Sequence, residues 1–307
     1  MIKYTSLFFL LFVVFAGFVA CSDAGKKNAD AAATDQPAPA ESTEAQYGGL
    51  ALYTLRDTLG KDPKGVLKTV ADMGYKYIEA AGYAEGKFYG MAPAEFKAYL
   101  DEIGLVPISS HHGNVSLDNV DELVAAVSEA GFKYFVIPIP PMGHFKFDPK
   151  TRSLGMSDEV EEIMGIINTI AQKCSEAGVE CLYHNHDMEL KENSKGIIPL
   201  DYFIENSDPQ HLSFQMDLYW MTKAGADPIE YFQKAPGRFK SWHVKDMDEE
   251  GRFAPVGTGS INFAKILKQK DQSGLEYYFV EQDMTFGQTP LEAVQISHKA
   301  LAEIGFK

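Results

Sequence analysis

The chain has 307 residues, with 28 basic and 43 acidic side chains and a formal net charge of −15 at pH 7. Such an acidic surface repels phosphate backbones, which argues against nucleic acid as a partner. Three cysteines are too few for a disulfide framework. We expect Cys174 and Cys181 to be buried, inert thiols.

The first 47 residues differ in composition from the rest. Residues 1–20, MIKYTSLFFLLFVVFAGFVA, place Lys3 before an apolar run. The run is shorter than the about 20 residues of a membrane span, which predicts a secretory signal peptide. It ends at Cys21 and resembles the lipobox of bacterial lipoproteins, in which that cysteine carries the lipid. Residues 21–47 are rich in Ala, Asp, Pro, Ser and Thr, a composition that predicts a disordered tether.

We therefore expect an exported protein that is lipid-anchored at Cys21, at the periplasmic or outer-membrane face. Its contact with a membrane would be through this lipid alone. The alternative is an ordinary secreted protein with a leftover cysteine.

Residues 48–307 have the size of one (β/α)₈ barrel domain. Helical stretches, among them 63–73, 92–103 and 158–177, alternate with runs rich in β-branched and aromatic residues. A helix that ends at glycine and is followed at once by such a run recurs at Gly74, Gly104, Gly131, Gly178, Gly237 and Gly274. Together with LALYTLRD near residue 52 and HLSFQMDLYW near residue 214, these junctions predict eight parallel strands. No glycine-rich phosphate loop follows the first strand, so a closed barrel is favoured over an open doubly wound sheet.

The active site of such a barrel lies at the carboxyl ends of its strands, and here those ends are polar. In chain order they carry Tyr53, Arg56, Glu79, His111, His112, His184, His186, Glu189, Asp217, His243, Lys245, Asp246, Glu281 and Asp283. Five of the eight histidines of the chain are in this set. Imidazole and carboxylate together suit Mn²⁺, Zn²⁺, Fe²⁺ or Co²⁺, and the lack of thiolates argues against a closed structural zinc site.

Five segments together resemble the xylose isomerase-like barrels of the sugar phosphate isomerase and epimerase family. They are HNHDMEL (184–190), SFQMDLYW (213–220), GRFKSWHVKDMD (237–248), FAPVGTGSINF (253–263) and YYFVEQD (277–283). The resemblance covers the whole folded part. It implies one divalent metal ion, with Mn²⁺ expected first and Zn²⁺, Co²⁺, Fe²⁺ or Mg²⁺ as alternatives.

Members of this family bind the ion through Glu, Asp, His and Glu at the ends of strands five to eight. Asp217, His243 and Glu281 match three of these positions. No glutamate ends the fifth strand, so the prediction is Glu189, just past that strand. A histidine in its place is the alternative.

The resemblance implies chemistry that starts with removal of a proton α to the carbonyl of a keto-sugar, since a divalent cation stabilises the resulting charge. The predicted catalytic residues are His184, His186 and Lys245. The predicted substrate-binding residues are Tyr53, Glu79, His112 and Trp220. Phe88 is a further candidate for an apolar wall.

Reprotonation of the enolate gives epimerisation or isomerisation, whereas loss of the neighbouring group gives elimination, as in the related lyases that open 3-keto-glycosides. Export favours a non-phosphorylated keto-sugar or 3-keto-glycoside as substrate. The one candidate for a phosphate-binding loop is GTGS (257–260). A non-catalytic periplasmic sugar-binding lipoprotein and a metal-dependent hydrolase are the other readings of these residues.

Overall fold

Eight parallel strands close into a barrel in the computed structural model, which describes residues 46–150 and 153–306. The strands are β1 (Gly49–Ala51), β2 (Tyr77–Ala80), β3 (Val106–His111), β4 (Tyr134–Ile137), β5 (Glu180–His184), β6 (Leu212–Asp217), β7 (Ser241–Val244) and β8 (Tyr277–Val280). Each strand pairs with the next along the chain, and β8 pairs with β1. The predicted closed (β/α)₈ barrel is confirmed.

Helices surround the barrel. They span Arg56–Leu59, Pro63–Asp72, Pro93–Ile103, Val120–Glu129, Val160–Glu176, Pro199–Asn206, Leu218–Lys223, Pro228–Lys234, Phe263–Leu267, Lys270–Ser273 and Pro290–Ile304, with short 3₁₀ turns at Leu52–Leu55 and Met188–Leu190. Five of them have proline in the first turn, where its missing N–H costs no hydrogen bond. Gly104, which ends a helix, has a φ of 78°, as the predicted helix–glycine–strand junction requires.

The interior of the barrel is divided along its axis. Its lower part is filled by apolar side chains that include Tyr134, Val136, Leu182 and Phe279. A much larger apolar layer lies between the strands and the helices. Because the lower interior is packed, the polar residues at the carboxyl ends of the strands form the floor of the cavity above them.

Strand β3 contains a β-bulge that changes which histidine points inward. Ile78 pairs with Pro107 and Glu79 pairs with Ser109, so Ile108 is an extra residue without a partner on β2. A bulge shifts the alternation of side chains by one position. After it, Ser109 and His111 face the interior of the barrel.

In the described part of the chain, three antiparallel hairpins are inserted at the carboxyl ends of the strands. The longest follows β4 and pairs Phe145–Asp148 with Ser153–Met156. A shorter one follows β2 (Tyr83–Ala84 with Lys87–Phe88), and another follows β7 (Asp246–Met247 with Phe253–Ala254).

The predicted signal peptide (1–20), Cys21 and the predicted tether as far as residue 45 lie outside the described residues. The Tyr47 hydroxyl donates to the carbonyl oxygen of His298 at 3.0 Å, so the end of the predicted tether packs on the barrel. None of the helices in the described part of the chain has the length and apolar character needed to span a membrane. Cys174 and Cys181 are buried free thiols, as predicted.

Candidate active site

Glu79, at the end of β2, is buried and has both carboxylate oxygens engaged. Its Oε1 accepts a hydrogen bond from Nε2 of His243 at 2.6 Å and lies 3.0 Å from Nε2 of His111. Its Oε2 accepts from Ser109 Oγ and Gln215 Nε2, each at 2.6 Å. Burial alone would raise the pKa of Glu79, but the two imidazoles hold it well below its usual value. Glu79 is therefore a carboxylate that orients His243 from beneath the site.

Gln215 determines which nitrogen of His184 carries the proton. Its Nε2 faces the Glu79 carboxylate, which can only accept, and also lies 3.0 Å from Ser241 Oγ. Its Oε1 must therefore accept, and it lies 3.0 Å from Nδ1 of His184. The lone pair of His184 is then on Nε2, which lies 3.9 Å from Oδ2 of Asp217.

Asp217, His243 and Glu281 form a cluster that could hold a metal ion, with one donor atom of each within 4.8 Å of the others. Nδ1 of His243 is 2.9 Å from Glu281 Oε2 and 3.7 Å from Asp217 Oδ2. His184 and His111 form a second such group with His243. Oδ2 of Asp217 is buried and makes no well-directed hydrogen bond with any described residue, although Nζ of Lys245 lies 3.0 Å away.

Lys245 is buried among three carboxylates. Its Nζ lies 3.0 Å from Asp217 Oδ2, 2.6 Å from Glu281 Oε2 and 3.2 Å from Asp283 Oδ2. Burial would lower the pKa of Lys245, but these carboxylates, Asp217 foremost, raise it well above its usual value. Burial raises the pKa of Asp283 to about 6, so this group is ionised at neutral pH.

The charges of the cluster leave a negative excess. Four carboxylates, of Glu79, Asp217, Glu281 and Asp283, face the ammonium of Lys245 and the imidazole of His243. Burial opposes protonation of His243, yet Glu79 and Glu281 raise its pKa well above the usual value. Four negative and two positive groups leave two negative charges, and this excess favours binding of a divalent cation. Together with the unsatisfied oxygen of Asp217, this donor set fits a divalent metal ion.

A cavity of about 520 Å³ opens above this cluster. Its polar residues include His111, His184, His186, Glu281 and Asp283, and its apolar walls include Pro138, Ile139, Phe145, Leu154, Trp220 and Phe253. Nδ1 of His186 and Nε1 of Trp220 are buried and have no hydrogen-bond partner among the described residues. Burial, followed by the charge of Lys245, lowers the pKa of His186 to about 4, so its imidazole is neutral at pH 7.

Residues 67–284 match the family model described as xylose isomerase-like TIM barrel. The chain belongs to this family. An inosose dehydratase of Geobacillus kaustophilus (strain HTA426) is 25% identical over 254 residues, which cover 71% of this chain and 80% of that protein. Other inosose dehydratases match over about half of their own length.

Solved structures agree with this membership. A sugar phosphate isomerase/epimerase from Parabacteroides distasonis ATCC 8503 is 28% identical with a TM-score of 0.73, covering 90% of this chain and 99% of that one. A 3-keto-D-glucoside 4-epimerase from E. coli shares the fold at 16% identity and a TM-score of 0.60, covering 79% of this chain and 95% of that one. Relatives that are sugar isomerases, epimerases and dehydratases support an enzyme.

The structure brings most predicted site residues of this xylose isomerase-like barrel to one place. His184, His186 and Glu281 line the cavity, as do the predicted substrate-binding residues Tyr53 and Trp220. Asp217, His243, Lys245 and Glu79 are buried beneath it. Both oxygens of Glu79 accept from protein groups, so we expect it to position His243 rather than to contact substrate.

His112 does not reach the site. Its ring stacks on Phe135 with centroids 4.5 Å apart, and its Nε2 lies 2.9 Å from Ser110 Oγ. The bulge in β3 is the reason, because it turns His111 inward and His112 toward the helices. Phe88 lies on the same outer side, against Phe96 and Phe132.

Glu189 lies outside both groups of described residues that could hold an ion. Its Oε1 accepts from the Tyr183 hydroxyl at 2.7 Å, and its Oε2 accepts from the backbone N–H of His186 at 2.8 Å. Tyr183 points away from the interior and packs against Phe203. The short 3₁₀ turn at Met188–Leu190 thus aims Glu189 outward, and Nε2 of His184 is the donor from β5 that faces Asp217.

His111 was expected at a strand end but was given no role there, and Gln215 was not among the expected site residues. Gln215 lies two positions before Asp217 on β6, so period-two alternation places both side chains on the inner face. That spacing was a usable signal. The inward orientation of His111 has no such signal in the sequence, because the bulge in β3 that causes it is a feature of pairing between strands.

The GTGS loop of this family member is held by a carboxylate. Asp246 accepts hydrogen bonds from the backbone N–H groups of Gly257, Gly259 and Ile261 at 3.0, 2.9 and 3.2 Å. A Cβ at position 259 would lie 2.4 Å from Oδ1 of Asp246, so glycine is required for this approach. Since these amides are engaged, the loop has no free donors with which to grip a phosphate.

Proposed function

We propose that this protein removes the proton α to the carbonyl of a non-phosphorylated keto-sugar or 3-keto-glycoside, with a divalent metal ion, and then eliminates the group on the next carbon. The observation that supports this most is the placement of His186, which lines the cavity with Glu281 of the Asp217, His243 and Glu281 cluster and whose buried Nδ1 has no hydrogen-bond partner among the described residues. A proton acceptor and a site for the carbonyl oxygen are thus adjacent.

Asp217, His243 and Glu281 would hold the ion, with Nε2 of His184 as a fourth donor. When bound, it supplies a Lewis acid for the negative charge that develops on the carbonyl oxygen. The carboxylate of Glu79 orients His243, and Gln215 orients His184, so both rings are fixed before substrate binds.

The remaining steps are assigned to residues of the chain itself. His186 Nδ1 takes the α-proton, and the electrons of the broken C–H bond pass toward the carbonyl oxygen. As the carbonyl re-forms, a C=C bond forms between the α- and β-carbons and the C–O bond at the β-carbon breaks. The Asp283 carboxylate, at the cavity wall and 3.2 Å from Lys245, relays a proton from the Lys245 ammonium to the departing oxygen.

The names of the relatives agree with a ketone substrate. An inosose is a ring ketone, and its dehydration removes water next to the carbonyl; a 3-keto-glucoside is also a ring ketone. Both elimination and epimerisation can begin with loss of the α-proton. The engaged amides of the GTGS loop support a substrate without phosphate.

The test is incubation of the protein and Mn²⁺ with a panel of 3-keto-glucosides and free keto-sugars, with products identified by mass spectrometry. We expect aglycone release with an unsaturated keto-sugar as co-product, loss of activity with EDTA, and recovery with added Mn²⁺. His186→Gln should abolish turnover, whereas His112→Phe, on the outer face of β3, should not. A metal-bound protein that converts no ketone in the panel contradicts the proposal and favours a sugar-binding protein or a metal-dependent hydrolase.

A further inference from the structure

The hairpin that follows β4 has two chemically different faces. Phe145 pairs with Met156 and Phe147 with Leu154, while Lys146 pairs with Gly155. Residues directly opposite each other in an antiparallel pair share a face, and alternate residues along each strand share it too. Phe145, Phe147, Leu154 and Met156 therefore form one apolar face, called here the hairpin face.

The hairpin face is directed at the active-site cavity. Phe145 and Leu154 both line that cavity, together with Pro138 and Ile139 at the base of the hairpin. Phe147 is the outermost member, and its side chain is 54% exposed. Its pairing with Leu154 continues the apolar wall from the cavity to the solvent.

Other apolar side chains at the mouth extend this wall. Tyr53 and Met284 line the same cavity and are 43% and 37% exposed. The guanidinium of Arg56 stacks on the Tyr53 ring at 4.3 Å and donates to the backbone oxygens of Tyr53 and Asp283. Large apolar residues exposed together on a monomer mark a binding surface.

The cavity thus has a polar floor and an apolar mouth. Its volume of about 520 Å³ is within the range of cavities that hold ligands larger than a single sugar ring. Hydroxyl and carbonyl groups match the floor of histidines and carboxylates. A planar apolar group matches the aromatic rings of Phe145, Phe147 and Tyr53.

We propose that the hairpin face is a subsite for an uncharged aromatic substituent carried by the sugar, as in an aryl glycoside. This inference rests on the proposed function, since the substituent is the group that the elimination would release. The occupant is a small ligand, because the hairpin face is continuous with the cavity that contains His184 and Glu281.

The test compares the binding of two unreactive probes, phenyl β-D-glucoside and methyl β-D-glucoside, by calorimetry with the full metal-loaded chain. We expect the phenyl probe to bind about tenfold more tightly, because it buries an aromatic ring that the methyl probe lacks. Phe147→Ser and Leu154→Ser should each reduce this preference severalfold, and Phe147 is exposed enough for its replacement to leave the fold intact. Lys146→Ser, on the polar face of the same hairpin, is the matched control and should keep the full preference.

Equal affinities for the two probes in the unmodified protein would overturn the proposal, as would a preference that both serine variants retain. Self-association that Phe147→Ser abolishes, without any phenyl preference, would also overturn it by assigning the hairpin face to a second copy. The outcomes distinguish the two proposals. A preference for the phenyl probe without turnover of keto-glucosides supports the subsite and refutes the elimination. Turnover without a preference for the phenyl probe supports the elimination and refutes the subsite.

Discussion

Glu189→Gln is expected to make the protein less sensitive to alkaline pH. The Glu189 carboxyl is fully buried, and burial raises its pKa to about 7 from the usual 4.5. The folded state therefore binds this proton more tightly than the unfolded state does. The resulting stability is complete below about pH 4.5 and is lost as the pH rises through 7.

The magnitude follows from the difference between the two pKa values. About 2.5 pH units at about 1.4 kcal/mol per unit correspond to about 3 kcal/mol of unfolding free energy lost by pH 8.5. Glutamine does not ionise, and it keeps both contacts, accepting from the His186 N–H and donating to the Tyr183 oxygen. The variant should match the unmodified protein near pH 5 and be more stable by about 3 kcal/mol at pH 8.5.

Urea unfolding at pH 5, 7 and 8.5 measures this difference. Tyr183→Phe is the control, because the Tyr183 hydroxyl lowers the pKa of Glu189 and its loss should steepen the pH dependence. Metal affinity should be unchanged in Glu189→Gln, since Glu189 is outside the donor cluster. A stability difference that is the same at all three pH values would refute the reasoning, and loss of metal would return Glu189 to the ligand set.

Three further predictions concern the site. His111→Ala should lower kcat about 10- to 100-fold, because Glu79 loses an orienting partner, while His112→Phe should leave kcat unchanged; steady-state rates decide this. Asp246→Asn should lower the unfolding free energy by about 2 kcal/mol, since an amide oxygen replaces a carboxylate that accepts from several backbone N–H groups. An unchanged midpoint of urea unfolding would argue against this expectation. Metal binding at pH 7 should release about one proton from His243, because the pKa of this imidazole is raised without metal, and metal affinity should therefore rise with pH. Calorimetry in buffers of different ionisation enthalpy measures the number of protons released. Binding without proton release would contradict this prediction.

The fold was predictable because its signals are local. Each helix–glycine–strand junction uses a left-handed residue that glycine adopts without strain, and the junction at Gly104 has the expected positive φ. The helices predicted at 63–73, 92–103 and 158–177 are observed within two residues of those bounds. Asp217, His243 and Glu281 were expected as ligands from the resemblance to the xylose isomerase-like barrels, and the structure brings them together.

The structure places two predicted site residues elsewhere than expected, and in both cases the reason is a feature of strand pairing or of a turn. His112 was predicted in place of His111 because the bulge at Ile108 is visible only when β3 is paired with β2. Glu189 was predicted as a ligand because the 3₁₀ turn that points it at Tyr183 has no clear sequence signature. The hairpin of Phe145–Asp148 and Ser153–Met156 was not predicted, because neither of its strands follows a helix that ends at glycine.

The central claim, proton removal at the carbon next to the carbonyl, is tested most directly by exchange with solvent. The protein is incubated in D₂O with Mn²⁺ and a 3-keto-glucoside, and recovered substrate and product are examined by NMR and mass spectrometry. The account predicts deuterium at the α-carbon of recovered substrate and an elimination product that has lost the α-hydrogen, both abolished by EDTA and by His243→Ala. Product formation with every α-hydrogen retained and no deuterium incorporated would contradict it.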